Sequence, residues 1–218
     1  MSQKIINHQM IIDGKYTNSI TEKTIEIECP ANKRIFASVP RGNQADVDIA
    51  VKSSLKAFRS WSKVMPKERG KILLQIADAI EIEKEDIAKI IATETGNAIK
   101  TQARPEINLV VDIFRYFGGL SSELKGETIP LGEHVLSYTR REPLGVVGAI
   151  IPWNAPVMLG ACKIAPALCA GNTIVMKAAE DAPLAILKVA EICQKFIPPG
   201  VLNLLTGTGP ECGEPLAY

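Results

Sequence analysis

Lys177 and Glu180, three residues apart in Lys177-Ala178-Ala179-Glu180, are the pair whose types and spacing point most directly to ligand chemistry. An ammonium donates and a carboxylate accepts, so together they complement two adjacent hydroxyls such as those on the ribose of a dinucleotide. The same pattern also suits a solvent-facing turn in which Glu180 and Asp181 favour the N-terminus of a helix opening near Pro183. Asn154, at the end of Ile151-Pro152-Trp153-Asn154, offers an amide that could stabilise negative charge developing on an oxygen, although Asn and Pro are equally ordinary turn residues. Lys163 falls in an otherwise apolar helical stretch, where it needs a partner, water or a shifted pKa unless its stem carries the charge to the surface. Gly207-Thr208-Gly209-Pro210-Glu211-Cys212-Gly213 reads G-x-G-x-x-x-G, one residue longer than the usual dinucleotide fingerprint.

These residues need elements to hold them. After Gly145 the pattern predicts a strand over 146–151, a helix over 156–168, a strand over 173–176, a helix over 183–195, a strand over 201–205 and then the start of a helix. Strands alternating with helices imply a parallel sheet. Ligands of open parallel sheets collect at the carboxyl ends of strands, where Asn154, Lys177 and Gly207 all fall, so three strand ends are expected to converge on one crevice. Upstream, alternating segments around 9–13, 24–28 and 34–39 predict three short strands over a helical layer, with a hairpin turn at Asp13-Gly14-Lys15. From 44 to about 124 the period is helical, with one helix carrying Val47 to Phe58, a second carrying Ile72 to Ile80, a third over 86–95 stopped by Gly96, and a fourth over 107–117 weakened at its end by Gly118-Gly119. Residues 137–142 are polar and extended, either an edge strand in need of a partner or a solvated connector.

Composition narrows the class. With 218 residues, 46% of them hydrophobic, the chain can bury a substantial core, and 25 basic against 24 acidic side chains leave no charge that would favour nucleic acid or anionic lipid. The five cysteines are odd in number and lack any C-x-x-C pair, which argues against a disulfide framework or a metal site and favours a reducing cytoplasm. Cys162 and Cys169, seven apart, are expected to be core packing residues, and neither His8 nor His134 belongs to a visible catalytic constellation. The start of the chain lacks a secretory signal pattern. Residues 144–162 carry no charge, yet Pro152, Asn154 and Pro156 interrupt the run and exclude a membrane span there.

The turns Ile151-Pro152-Trp153-Asn154 and Lys177-Ala178-Ala179-Glu180, followed by Pro198-Pro199-Gly200-Val201-Leu202-Asn203 and Gly207-Thr208-Gly209-Pro210, resemble motifs of the aldehyde dehydrogenase superfamily, in the same order and over nearly the whole chain. The resemblance implies an α/β fold, namely the N-terminal part of the aldehyde dehydrogenase fold, a Rossmann-like parallel sheet with helices plus small N-terminal strands and a helical layer. It implies three parts: 1–136 as strands and helical layer, 137–143 as an oligomer-forming strand, and 144–218 as an incomplete dinucleotide-binding portion. By resemblance Ile151, Pro152, Trp153, Asn154, Lys177, Glu180, Gly209 and Pro210 bind the cofactor, with Lys177 and Glu180 on the adenosine ribose. The resemblance also implies Asn154 as the catalytic oxyanion donor and Lys163 as a candidate proton relay.

The implied cofactor is NAD rather than NADP, because Glu180 would repel a phosphate on the ribose 2′ oxygen. The implied partners are a small aldehyde and, in the full-length form, further copies of the same chain, with no nucleic acid, membrane or metal. The family's later glycine motif, general-base Glu and nucleophilic Cys are expected beyond Tyr218. The leading expectation is therefore part of an NAD-dependent aldehyde dehydrogenase that is inactive alone. The alternatives are a nucleotide-binding or subunit-pairing module and a poorly folded product. Relatives often carry aromatics where this chain has Ala155 and Cys162, which implies a reshaped substrate passage.

Overall fold

The chain runs through β1 (Ile6–Asn7), β2 (Met10–Ile12), β3 (Lys15–Thr17), β4 (Thr24–Cys29) and β5 (Arg34–Pro40) into helices α1 (Gln44–Trp61), α2 (Pro66–Thr95) and α3 (Arg104–Leu120). It continues through β6 (Thr128–Pro130), β7 (Leu136–Tyr138), β8 (Val146–Ile150), α4 (Pro156–Cys169), β9 (Thr173–Lys177), α5 (Leu184–Gln194), β10 (Leu202–Leu205) and α6 (Glu214–Ala217). This computed structural model describes residues 5–218.

The central sheet has the order β3-β2-β10-β9-β8. Strands β8, β9 and β10 are parallel, as their alternation with helices requires, with Val147 opposite Ile174 and Leu202 opposite Ile174 on the other side. The first expectation to be corrected concerns the N-terminal hairpin. It does not lie over the helical layer: β2 extends the central sheet antiparallel to β10, and Asn203 accepts the Asp13 amide at 2.8 Å. The hydrophobic run Met10–Ile12 is buried on both faces, which only a place inside a sheet can satisfy. β4 and β5 form a separate antiparallel pair joined by β1.

Side-chain alternation along the strands divides the core. Val175 and Leu205 pack with Val47, Ala50 and Cys212 on the α1 face, where Thr173 also donates to the Ser54 carbonyl at 3.1 Å. Ile174, Met176, Leu202 and Leu204 face α4 and α5, and α2 and α3 form a further layer over those helices.

The helical layer also departs from the pattern reading. The two helices expected over 72–80 and 86–95 are one helix of 30 residues, about 45 Å long at 1.5 Å per residue. Its polar middle holds because Glu81 pairs with Arg115, Glu83 with Lys188 and Lys195, and Glu85 with Arg104, so partners on α3 and α5 replace the missing apolar stripe. Gly96 ends it in a left-handed conformation at φ 76°. Gly118 does not weaken α3, which runs on to Leu120; it faces Gly70 of α2, and a Cβ on Gly70 would stand 2.5 Å from the Gly118 carbonyl. Two glycines let these helices cross closely.

The extended segment expected over 137–142 is paired at β7, against β6, with two further bonds at Thr139, whose amide donates to the Glu127 carbonyl and whose hydroxyl accepts the Glu127 amide. The uncharged run 144–162 is a strand, a turn and the first half of α4, and among the described residues no helix is long and apolar enough to cross a membrane.

Candidate functional site

The three parallel strands end side by side. The Ile151 amide donates to the Lys177 carbonyl at 3.2 Å, and the Ala178 amide donates to the Leu205 carbonyl at 2.9 Å. The turns bearing Asn154, Lys177 and Gly207 are therefore tied to one end of the sheet.

At the end of β9, Lys177 follows Thr173 and Val175 on the α1 face, and its side chain is 3% exposed. Its Nζ donates to Glu180 Oε2 at 2.6 Å, the one partner it has among the described residues. An ammonium carries three donors, so two remain for a ligand. Burial pushes the Glu180 carboxyl up, but Lys177 and the Gly209 backbone amide outweigh it and hold the group below the usual carboxylate range. Glu180 is thus ionised, partly exposed and within reach of Gly209.

The glycine-rich segment turns directly into a π-helical turn over Gly209–Gly213 ahead of α6. A Cβ on Gly213 would stand 3.8 Å from Lys177 Cδ, whereas one on Gly209 would meet nothing within 4 Å, so the segment is packed at one glycine and open at the other. Arg41 clamps it from the exit of β5: its Nε donates to Glu211 Oε2 at 2.6 Å, its second nitrogen reaches Oε1 at 3.0 Å, and Thr208 joins the same carboxylate. Cys212 is buried beneath, its thiol pushed up to about 12 by burial against an opposing pull from Lys177.

At the end of β8, Ile151 is buried while Pro152, Trp153 and Asn154 are exposed. The Asn154 side-chain amide makes no hydrogen bond among the described residues, but its backbone carbonyl accepts from Asn97 Nδ2 at 3.1 Å. Asn154 and Ala155 open onto a cleft of about 300 Å³ between α3 and α4, lined also by Asn97, Glu106, Leu109 and Met158. Lys177 and Glu180 do not line this cleft. Lys177 thus faces α1 at this end of the sheet, while α4, which follows the Asn154 turn, packs on the opposite face.

Lys163 is exposed on α4 and lines a different cleft, against Val147, Gly148 and Ala149 along β8. Cys162, next to Lys163 in sequence, corrects the expectation of two buried thiols: it is exposed, whereas Cys169 is buried with its thiol raised by burial. Cysteines 29, 193 and 212 are also buried. Among the described residues no group of three or more His, Cys, Asp or Glu side chains could hold a metal ion.

Two carboxylates escaped the pattern reading. Glu94 of α2 is 2% exposed and accepts the Leu184 and Ala185 amides at 2.6 and 2.9 Å, one on each oxygen. Glu106 of α3 is 8% exposed and accepts the Val157 and Met158 amides at 3.0 and 3.1 Å, both on Oε1. They cap α5 and α4, whose own N-cap residues make no side-chain bond. Burial raises both, Glu94 to about 8 despite its two amide donors, with the neighbouring Glu106 adding to the rise. Their signal lay in the sequence: Glu94 continues the apolar series Ile87 and Ile91, and Glu106 precedes Val110 by four.

The model of the aldehyde dehydrogenase family matches residues 16–218. The chain is 38% identical over 210 residues to the long-chain-aldehyde dehydrogenase of an Acinetobacter species and 39% identical over 211 residues to an aldehyde dehydrogenase of Aspergillus niger. Each alignment covers 96% of this chain and 42% of the relative, so the chain spans about two fifths of the length of these curated relatives. A solved NAD+ complex of an aldehyde dehydrogenase from Bacillus cereus superposes with a TM-score of 0.94 at 37% identity, over 96% of this chain and 43% of that one.

Proposed function

The chain belongs to the aldehyde dehydrogenase family, and from that premise we propose that residues 144–218 bind the adenosine half of NAD in a protein that oxidises an aldehyde to a carboxylic acid through a cysteine thioester. The observation that carries this reading is the Lys177–Glu180 pair, a buried ammonium with two donors to spare beside an ionised carboxylate at the end of a central strand.

That donor set fits the group. Glu180 accepts from a ribose hydroxyl, Lys177 donates to the ribose oxygens, and the open side of Gly209 with Pro210 leaves room for the base. NAD, when bound, supplies the acceptor for the hydride. Glu180 disfavours a 2′ phosphate by like charge, partly offset by Lys177. Ile151, Pro152 and Trp153 form the strand exit against which the cofactor would lie, and Asn154 donates its free amide to the oxygen that becomes negative when a thiolate adds to the aldehyde.

No cysteine lines the cleft at Asn154, and we assign neither the nucleophile nor the general base to any of these 218 residues. Purified as it stands, the chain is expected to bind NAD without producing NADH from an aldehyde. The exposure of Lys163 favours a surface-reaching side chain over a proton relay at Asn154. For subunit pairing we propose the β6–β7 ribbon, where Leu136 is 82% and Tyr138 65% exposed.

Calorimetry with NAD, NADP and ADP-ribose on the 218-residue chain tests the reading. Glu180→Ala and Lys177→Ala should weaken NAD and ADP-ribose by about ten- to a hundred-fold, the loss expected for hydrogen bonds to a charged group worth ~1.5–3 kcal/mol. Glu180→Gln should narrow the preference for NAD over NADP. Wild-type affinity in all three variants would sink the assignment.

A further inference from the structure

We propose that Asn97 and Glu106 are positioning residues for Asn154, gripping the exposed turn after β8 from both sides so that its amide stays aimed into the cleft between α3 and α4. The proposal rests on the reading of Asn154 as an oxyanion donor and extends it to side chains that the helical layer contributes.

The turn has little to hold it locally. Its last residue, Ala155, cannot cap α4, and Pro156 at the first helical position has no N–H to donate. Pro152, Trp153 and Asn154 are exposed, so no core packing fixes them. Two side chains from the helical layer hold it instead. Asn97 Nδ2 donates to the Asn154 carbonyl at 3.1 Å, and Glu106 Oε1 accepts from the Val157 and Met158 amides just beyond it. Both gripping residues line the same cleft as Asn154.

The second capping carboxylate shows that Glu106 is more than a generic helix cap. Glu94 divides its two oxygens between two amides at the start of α5. Glu106 spends one oxygen on both amides of α4, and among the described residues Oε2 has no partner. Glu94 closes a buried junction. Glu106 sets where α4 begins, and Asn97 sets the residue two positions before it, so the Asn154 backbone is fixed between them.

Backbone relaxation of the nitrogen-15-labelled 218-residue chain tests this, with the Asn154 amide order parameter as the readout. In the wild type it should sit near that of rigid backbone, about 0.85, and in Asn97→Asp, which keeps the shape but loses the donor, it should fall below about 0.6. Glu106→Ala should do the same, whereas Glu106→Gln retains an acceptor oxygen and should restore the wild-type value. The Ala178 amide order parameter should stay unchanged throughout, which a general loss of packing would not allow.

Should Glu106→Ala fail to fold, the half-exposed Asn97 still decides the matter. An unchanged Asn154 order parameter in Asn97→Asp overturns the proposal, as does a drop at Ala178 equal to that at Asn154. A wild-type chain that binds no NAD counts against the cofactor site alone, because the order parameter is read without it.

Discussion

Two adjacent strands of one sheet end in opposite circumstances. β9 has neighbours on both sides, all five of its residues are buried, and the lysine at its tip is held by an ion pair. β8 has β9 on one side and an open edge on the other among the described residues; Ile150 is 47% exposed and the turn beyond it is solvated. At β9 the sheet itself makes the ion pair by desolvating Lys177 and so making Glu180 its partner. At β8 the sheet only delivers the chain to the right end, and side chains from α2–α3 must fix the turn. Precision comes from burial in one case and from long-range hydrogen bonds in the other.

The contrast breaks most visibly in stability. Ile174→Ala in β9 empties a fully buried position and should cost ~2–5 kcal/mol in urea unfolding, whereas Ile150→Ala in β8 should cost less than ~1 kcal/mol. Equal losses would mean that the edge of β8 is covered in solution. Next comes the buried junction under α5: Glu94→Ala strands the Leu184 and Ala185 amides and should cost ~1–3 kcal/mol, more than Glu106→Ala, whose amides lie beside a cleft that water can enter.

A smaller effect is in pH. The Glu94 carboxyl is raised from 4.5 to about 8, so between those values the folded chain binds the proton that the unfolded chain has released. This contribution to stability is therefore complete below about pH 4.5 and is lost as pH rises through about 8. The wild-type melting temperature should fall across that window by more than that of Glu94→Gln, and parallel curves would show Glu94 to be ionised throughout. Smallest is Cys162, whose exposure predicts prompt reaction with a thiol reagent in the folded chain, ahead of the four buried cysteines.

Much of the fold was legible because its signals are local. Alternation placed β8 to β10 and their helices within one or two residues, and Gly96 stopped α2 where its left-handed geometry allows. The lysine and glutamate of the turn after β9 were legible as a pair because three residues of turn bring them together. The single helix α2 was not, since its polar middle is balanced by partners on α3 and α5 that no local window contains. Gly118 read as a helix weakener because Gly70 of the other helix, against which it packs, is invisible from its own surroundings in sequence. Cys162 was misplaced because an apolar neighbourhood in sequence says nothing about which face of α4 lies open.

By itself the sequence determined the order of strands and helices, the end of the sheet where polar turns gather, and the family to which those turns belong, all through short-range periodicity and residue type. Only the tertiary structure decided that the N-terminal hairpin joins the main sheet, that Lys177 faces α1 while Asn154 opens onto a cleft between α3 and α4, and that Glu94 and Glu106 cap helices 90 and 51 residues away. The physical reason is that burial and hydrogen bonding act across space: a carboxylate on an apolar stripe is an anomaly in one dimension, and becomes a cap only when a second helix presents its unpaired amides to it.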